Sequence, residues 1–164
     1  MGGETLVRRP LPGIDLACNT YAMGRFVFVT SVGMWLGMVA SFTHLVVPVI
    51  RATLHTEAAF ALLRRLFPRY HTLGLLCGLT ALAAISLTPG GNPEFSVSRR
   101  LLLAFPVSLS ILCTVFAQYY IHPRMGGWHA PDLNDRERML RFSGLLNTTV
   151  LVMLVFAFAT FATR

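Results

Sequence analysis

Between Arg25 and Pro48 the chain carries no charged side chain, and this run decides what the rest can be. A helix rises about 1.5 Å per residue, so the stretch from residue 24 to 47 is long enough to cross the roughly 30 Å hydrocarbon core of a bilayer with some tilt. An uncharged stretch of that length has few stable homes in water. Three further apolar runs follow, over about residues 70–87, 101–121 and 142–162. With 54% hydrophobic residues, 13% charged residues and a mean hydropathy of +0.61, a chain of 164 residues has the composition and length of a four-span membrane protein. Residues 1–23 read as a polar N-terminal tail ahead of the first span, and residues 24–164 as one transmembrane domain.

The expected fold is all-α: an integral membrane antiparallel four-helix bundle with a short interfacial amphipathic helix. That extra helix is read from Phe60, Leu63 and Phe67, which recur at helical spacing beside Arg64, Arg65 and Arg69. Pro48 marks the expected end of the first span, and Pro68 is expected to break the interfacial helix. Pro106 predicts a kink in the third span.

Small residues supply the expected helix contacts. Thr30, Gly33, Gly37 and Ser41 lead to His44 in the first span, and Gly74, Gly78 and Ala81 follow His71 in the second. Gly33, Gly37, Gly74 and Gly78 are therefore the candidate helix-packing residues, where backbones approach closely in lipid.

The formal charge of +7 comes entirely from arginine. These arginines flank the apolar runs or lie in loops, a pattern suited to lipid headgroups and not to nucleic acid. Membrane lipids are the expected partners, with other membrane protein subunits as a further class. More arginines fall on the first-to-second and third-to-fourth connections than on the opposite side, which points those connections toward the cytoplasm. Three cysteines without C-x-x-C spacing argue against a disulfide framework or a zinc ribbon.

Polar groups gather toward one membrane face. All five histidines, His44, His55, His71, His122 and His129, fall on the side of those two connections, and Gln118 and Asn147 sit about one turn inside the same boundary. His44, His71, Gln118, His122 and Asn147 are the candidate ligand-binding residues, since buried amides and imidazoles in a membrane need partners. Met34, Met38 and Cys77 lie near enough in sequence to serve as soft ligands to copper, and two histidines on different spans are the minimum for axial haem ligation. No local motif selects a metal or cofactor. The plain structural reading is equally available: interfacial histidines bond to water and headgroups, and interhelical amide bonds contribute about 1 kcal/mol or less to packing.

Trp35 and Gly37 with Phe42 and Pro48, then Phe60 with Leu66-Phe67-Pro68-Arg69-Tyr70, then His122-Pro123-Arg124, then Arg141-Phe142-Ser143 with Asn147, form a pattern that resembles the transmembrane protein 205-like family. The resemblance runs from about Arg25 to the C-terminus. It implies a four-span protein of a bacterial inner membrane, in a family whose bacterial members have no established activity and whose animal relative is associated with resistance to platinum drugs. One departure stands out: the family tends to carry a histidine before the serine of the fourth span, and here Leu140 stands in about that place. If that histidine is functional in the family, its role here is lost or taken by His129.

Two function classes follow. One is a protein that binds or moves a small ligand or metal at the His/Gln/Asn layer; the other is a structural accessory subunit that packs against a larger complex through its glycine faces. An enzyme is not expected, since the spans contain no paired carboxylates, no nucleophile-base arrangement and no phosphate-cradling glycine loop.

Overall fold

The computed structural model describes residues 12–87, 97–121, 123 and 133–162, with the backbone alone at 12–19, 21 and 133–136. Among these residues every regular element is helical. Helix α1 (Pro12–Ser41) passes into a π-helical turn (Phe42–Val46) and then α2 (Val47–Thr53), so that one helical rod leads from Pro12 to Thr53. Helix α3 (Thr56–Leu87) returns, α4 (Val97–Phe116) ends in a second π-turn (Ala117–Ile121), and α5 (Leu133–Ala162) completes the bundle. Four segments are long and apolar enough to cross a membrane: Ala22–Thr53, Thr56–Leu87, Val97–Ile121 and Glu137–Ala162.

Each helix packs on its neighbours in chain order, and α1 closes the ring against α5. The antiparallel sense is fixed at several heights. Phe28 meets Phe161 at 5.1 Å, Arg99 reaches the Thr160 carbonyl at 3.3 Å, and Asn147 reaches Thr43 at 3.4 Å.

Pro48 does not end the first helix. It has no N–H to give the His44 carbonyl, and its ring crowds that carbonyl in a regular α-helix. The chain widens by one residue ahead of it, with the Val47 N–H bonded to the Phe42 carbonyl. The consequence is a change of phase. Phe28, Val32, Trp35, Val39 and Phe42 are buried at alternating spacings of four and three, which an unbroken helix would continue to Val49. Instead Ile50 is buried at 9% exposure and Val49 is 57% exposed. The second π-turn likewise closes two residues before a proline, Pro123.

The interfacial helix expected over Thr56 to Phe67 is not a separate element. It is the first part of α3, which continues through Pro68 without a break. Ala59, Leu63 and Phe67 are buried on its inner side and hold it in line, while Pro68 lies on the exposed side, where water can hydrate the Arg64 carbonyl left without its α-helical donor. At about 1.5 Å per residue α3 is roughly 48 Å long, well beyond the hydrocarbon thickness. Its beginning, together with α2 and the start of α5, therefore forms a cap outside the apolar layer. Helix α4 likewise continues past Pro106.

The small-residue row of α1 faces the wrong way for the expected contact. A Cβ added to Gly33 or Gly37 meets nothing within 4 Å, and Thr30, Gly37, Ser41 and His44 are all exposed. The buried row lies two residues away, about 200° around the helix. On α3 the space is filled: a Cβ at Gly74 would stand 2.7 Å from Trp35 Nε1, and one at Gly78 would stand 2.7 Å from both Trp35 Cζ3 and Ile111 Cγ1. The glycines of α3 make a socket for the Trp35 indole.

Candidate functional site: a polar layer at one end of the bundle

The inward-facing polar groups near the capped end come from four places. Helix α3 contributes His71, buried to 1% exposure. Its ring stacks at 5.9 Å on Phe67 and stands edge-on to Tyr70 at 4.9 Å. Phe42, the first residue of the π-turn, stacks on Tyr70 at 4.3 Å and meets Phe67 edge-on at 5.3 Å, so three aromatic rings form one wall of the layer. The next residue of that turn, Thr43, accepts a hydrogen bond from Asn147 Nδ2 at 3.4 Å, the long end of the usual range.

Helix α5 carries Asn147 and, one turn earlier on the same face, Ser143. Both are buried, Ser143 to 2% exposure. The second π-turn, which packs against α5 and α3, carries Gln118. Phe116 and Phe142 meet at 6.4 Å and set the start of that π-turn beside the α5 turn holding Ser143. Among the described residues, neither Ser143 Oγ nor Gln118 Oε1 has a hydrogen-bond partner, although both atoms are buried. A buried polar atom without a partner costs about 1–3 kcal/mol, so these two are the chemically demanding groups of the layer.

The layer is narrower than the five sequence candidates imply. Gln118, His71 and Asn147 face into the bundle, but His44 is exposed on the outside of α1, and His122 lies outside the described residues, as does His129. His55 is exposed at the two-residue corner between α2 and α3. Of the polar row leading to Gln118, Ser110 and Thr114 satisfy themselves within α4, donating at 2.8 Å to the Pro106 and Ser110 carbonyls. Met34 faces outward at 57% exposure, away from the layer. Among the described residues no three His, Cys, Asp or Glu side chains come together as a metal ion needs. Thr43 and Ser143 were absent from the candidates. The signal for Thr43 lay in Pro48, whose distortion widens the preceding turn just after the regularly buried Phe42, where Thr43 stands.

The family comparison covers most of these residues. The match to the family described as a domain of unknown function (DUF4149) runs over residues 30–130, more than half of the chain. The chain belongs to the DUF4149 family. The DUF4149 region includes the Trp35 socket, both π-turns, Thr43, His71 and Gln118, while Ser143 and Asn147 lie beyond it on α5. No curated protein and no solved structure matches this chain. DUF4149 membership and the four apolar helices together make this a multi-pass membrane protein.

Proposed function

We propose that the protein holds a small, uncharged, hydrogen-bonding ligand in the layer formed by Thr43, His71, Gln118, Ser143 and Asn147. The observation that carries the reading is the pair of buried atoms Ser143 Oγ and Gln118 Oε1, which have no hydrogen-bond partner among the described residues. A hydroxyl donor and an amide acceptor suit a neutral polar molecule better than a soft metal ion, which favours thiolate, thioether or imidazole. For the two unpartnered groups the role is binding, because a neutral hydroxyl and an amide orient a ligand but transfer protons poorly, and the one imidazole of the layer, His71, is packed against Phe67 and Tyr70. The resemblance to the transmembrane protein 205-like family, carried by residues 66–70 and the fourth-span segment 141–147, supports a bacterial inner-membrane location.

Native mass spectrometry of the full chain released from detergent tests the reading. A small-molecule adduct is expected on the wild-type chain and is lost from Ser143→Ala and Gln118→Leu. A wild-type chain that carries no adduct, with Ser143→Ala raising thermal stability, overturns it, because the layer is then only packing.

A second reading has its own observation. On α1 the outward face carries Thr30, Gly37 and Ser41, and a Cβ added to Gly37 meets nothing within 4 Å. Small residues facing lipid allow another helix to approach closely, which favours an accessory subunit that packs against a second membrane-spanning helix.

A further inference from the structure

The cap outside the apolar layer contains a pocket that is separate from the polar layer. Its cavity of about 120 Å³ is lined by Arg51, Leu54, Thr56, Ala59, Phe60, Leu63, Glu137 and Leu140. Three elements converge there because of features already described: the π-turn phases α2 so that Ile50 faces the core and Arg51 faces α5, the extended backbone of Leu54 (φ −114°, ψ 148°) turns the chain, and the unbroken α3 supplies the floor. The floor is apolar and the rim is charged. Arg51 Nη2 stands 4.0 Å from Glu137 Oε1, and Arg141 Nη2 stands 3.6 Å from Glu137 Oε2. The rim thus carries one positive and one negative side chain, Arg51 and Glu137, with Arg141 beside Glu137 outside the lining.

Both distances lie beyond direct hydrogen-bond contact, and these exposed pairs contribute little on their own. A bound dipolar group can therefore intervene at small cost. The height also matters. From Arg25 to Arg51 the rod rises about 39 Å, more than the roughly 30 Å hydrocarbon core and close to the about 40–45 Å of a bilayer with its headgroup regions included. Arg51 and Glu137 thus stand among lipid headgroups. A cavity of about 120 Å³ is comparable to one that holds a single small ring. It takes a headgroup and not a whole lipid.

We propose that this pocket binds a phosphoethanolamine group, with its phosphate against the guanidinium group of Arg51 and its ammonium donating to the Glu137 carboxylate. The N-terminal end of α3, at Thr56, adds partial positive charge on the phosphate side. Leu54, Phe60, Leu63 and Leu140 accept the apolar part beyond the phosphate. A primary ammonium matches Glu137 because it donates hydrogen bonds. A trimethylated ammonium does not, and a glycerol headgroup brings no cation.

The test is native mass spectrometry of the full chain in micelles with equal amounts of phosphatidylethanolamine, phosphatidylcholine and phosphatidylglycerol of matched acyl chains. One charge-assisted hydrogen bond predicts retention of the ethanolamine lipid about tenfold above the other two. Glu137→Gln removes that preference, and Arg51→Gln weakens retention of all three. Both side chains are half exposed, and circular dichroism of each variant checks that the helices remain. Equal retention of the three lipids by the wild-type chain, or an unchanged preference in Glu137→Gln, overturns the proposal. Free phosphoethanolamine at millimolar concentration separates the two sources of the group: displacement of the lipid identifies a site for the soluble compound, and persistence of the lipid identifies a headgroup site. Either result supports the chemistry, and neither depends on what the polar layer holds.

Discussion

Trp35 and Gly78 touch so closely that a β-carbon on the glycine would stand 2.7 Å from the edge of the indole ring. Ile111 of α4 closes on the same point from the other side at the same distance. Gly78→Ala is therefore expected to cost about 1–3 kcal/mol through forced displacement of packed groups. Gly78→Leu should prevent the bundle from forming. Unfolding of the detergent-solubilised variants against temperature measures the effect. A midpoint unchanged in Gly78→Ala would mean that the indole moves freely and that the socket is not a constraint.

Gly37 is the matching control, since a Cβ there meets nothing. Gly37→Leu should leave the stability of the monomer intact while weakening association with a second membrane helix. Crosslinking in lipid vesicles reads the association separately from unfolding. Loss of monomer stability in this variant would contradict the outward placement of the row.

The π-turn makes a prediction that an unbroken helix reverses. Ile50→Ala is expected to cost about 2–5 kcal/mol, as for a large aliphatic side chain removed from a packed site, whereas Val49→Ala should be close to neutral. The same unfolding measurement ranks the two. A larger loss for Val49 would show that the helix keeps its regular phase past Pro48.

Orientation is testable on exposed residues at opposite ends. Among the described residues, Arg51, Arg64, Arg65, Arg69, Arg138 and Arg141 lie at the capped end, against Arg25, Arg99 and Arg100 at the other. The arginine bias predicts a cytoplasmic cap. In a background with the three native cysteines replaced, an impermeant thiol reagent applied to intact cells should label Ser98→Cys and spare His55→Cys. Labelling of residue 55 alone would invert the protein in the membrane.

The four spans were legible because uncharged runs of that length leave little alternative, and Gly74 and Gly78 were legible because glycine pairs four residues apart favour close approach. The inner face of α1 was not. In lipid, leucine is as comfortable outside a bundle as inside it, so hydrophobicity does not separate the two faces. The small-residue row Thr30, Gly33, Gly37, Ser41 therefore read as an interface, while the larger row two residues away was the buried one. His44 and His71 were read as neighbours because they lie at similar depth, but depth along a span says nothing of direction around it. The continuity of α3 was hidden by Pro68, whose effect depends on whether the freed carbonyl reaches water. Gln118 and Asn147 were found from their rarity in apolar helices, and Thr43 and Ser143 were not, since hydroxyls in helices usually bond to their own backbone, as Ser110 and Thr114 do here.

The extra residue in the turn Phe42–Val46 works like a gear between two parts of one rod. Below it the helix is indexed to the Trp35 socket, and above it the same helix is indexed to the cap. Were the same residues wound as a regular α-helix, the lower part would stay seated and everything above the turn would rotate by about 100°. Arg51 would swing away from Glu137, and Val49 would replace Ile50 in the core. The winding of those few positions, more than the identity of any one side chain there, sets which way the cap faces.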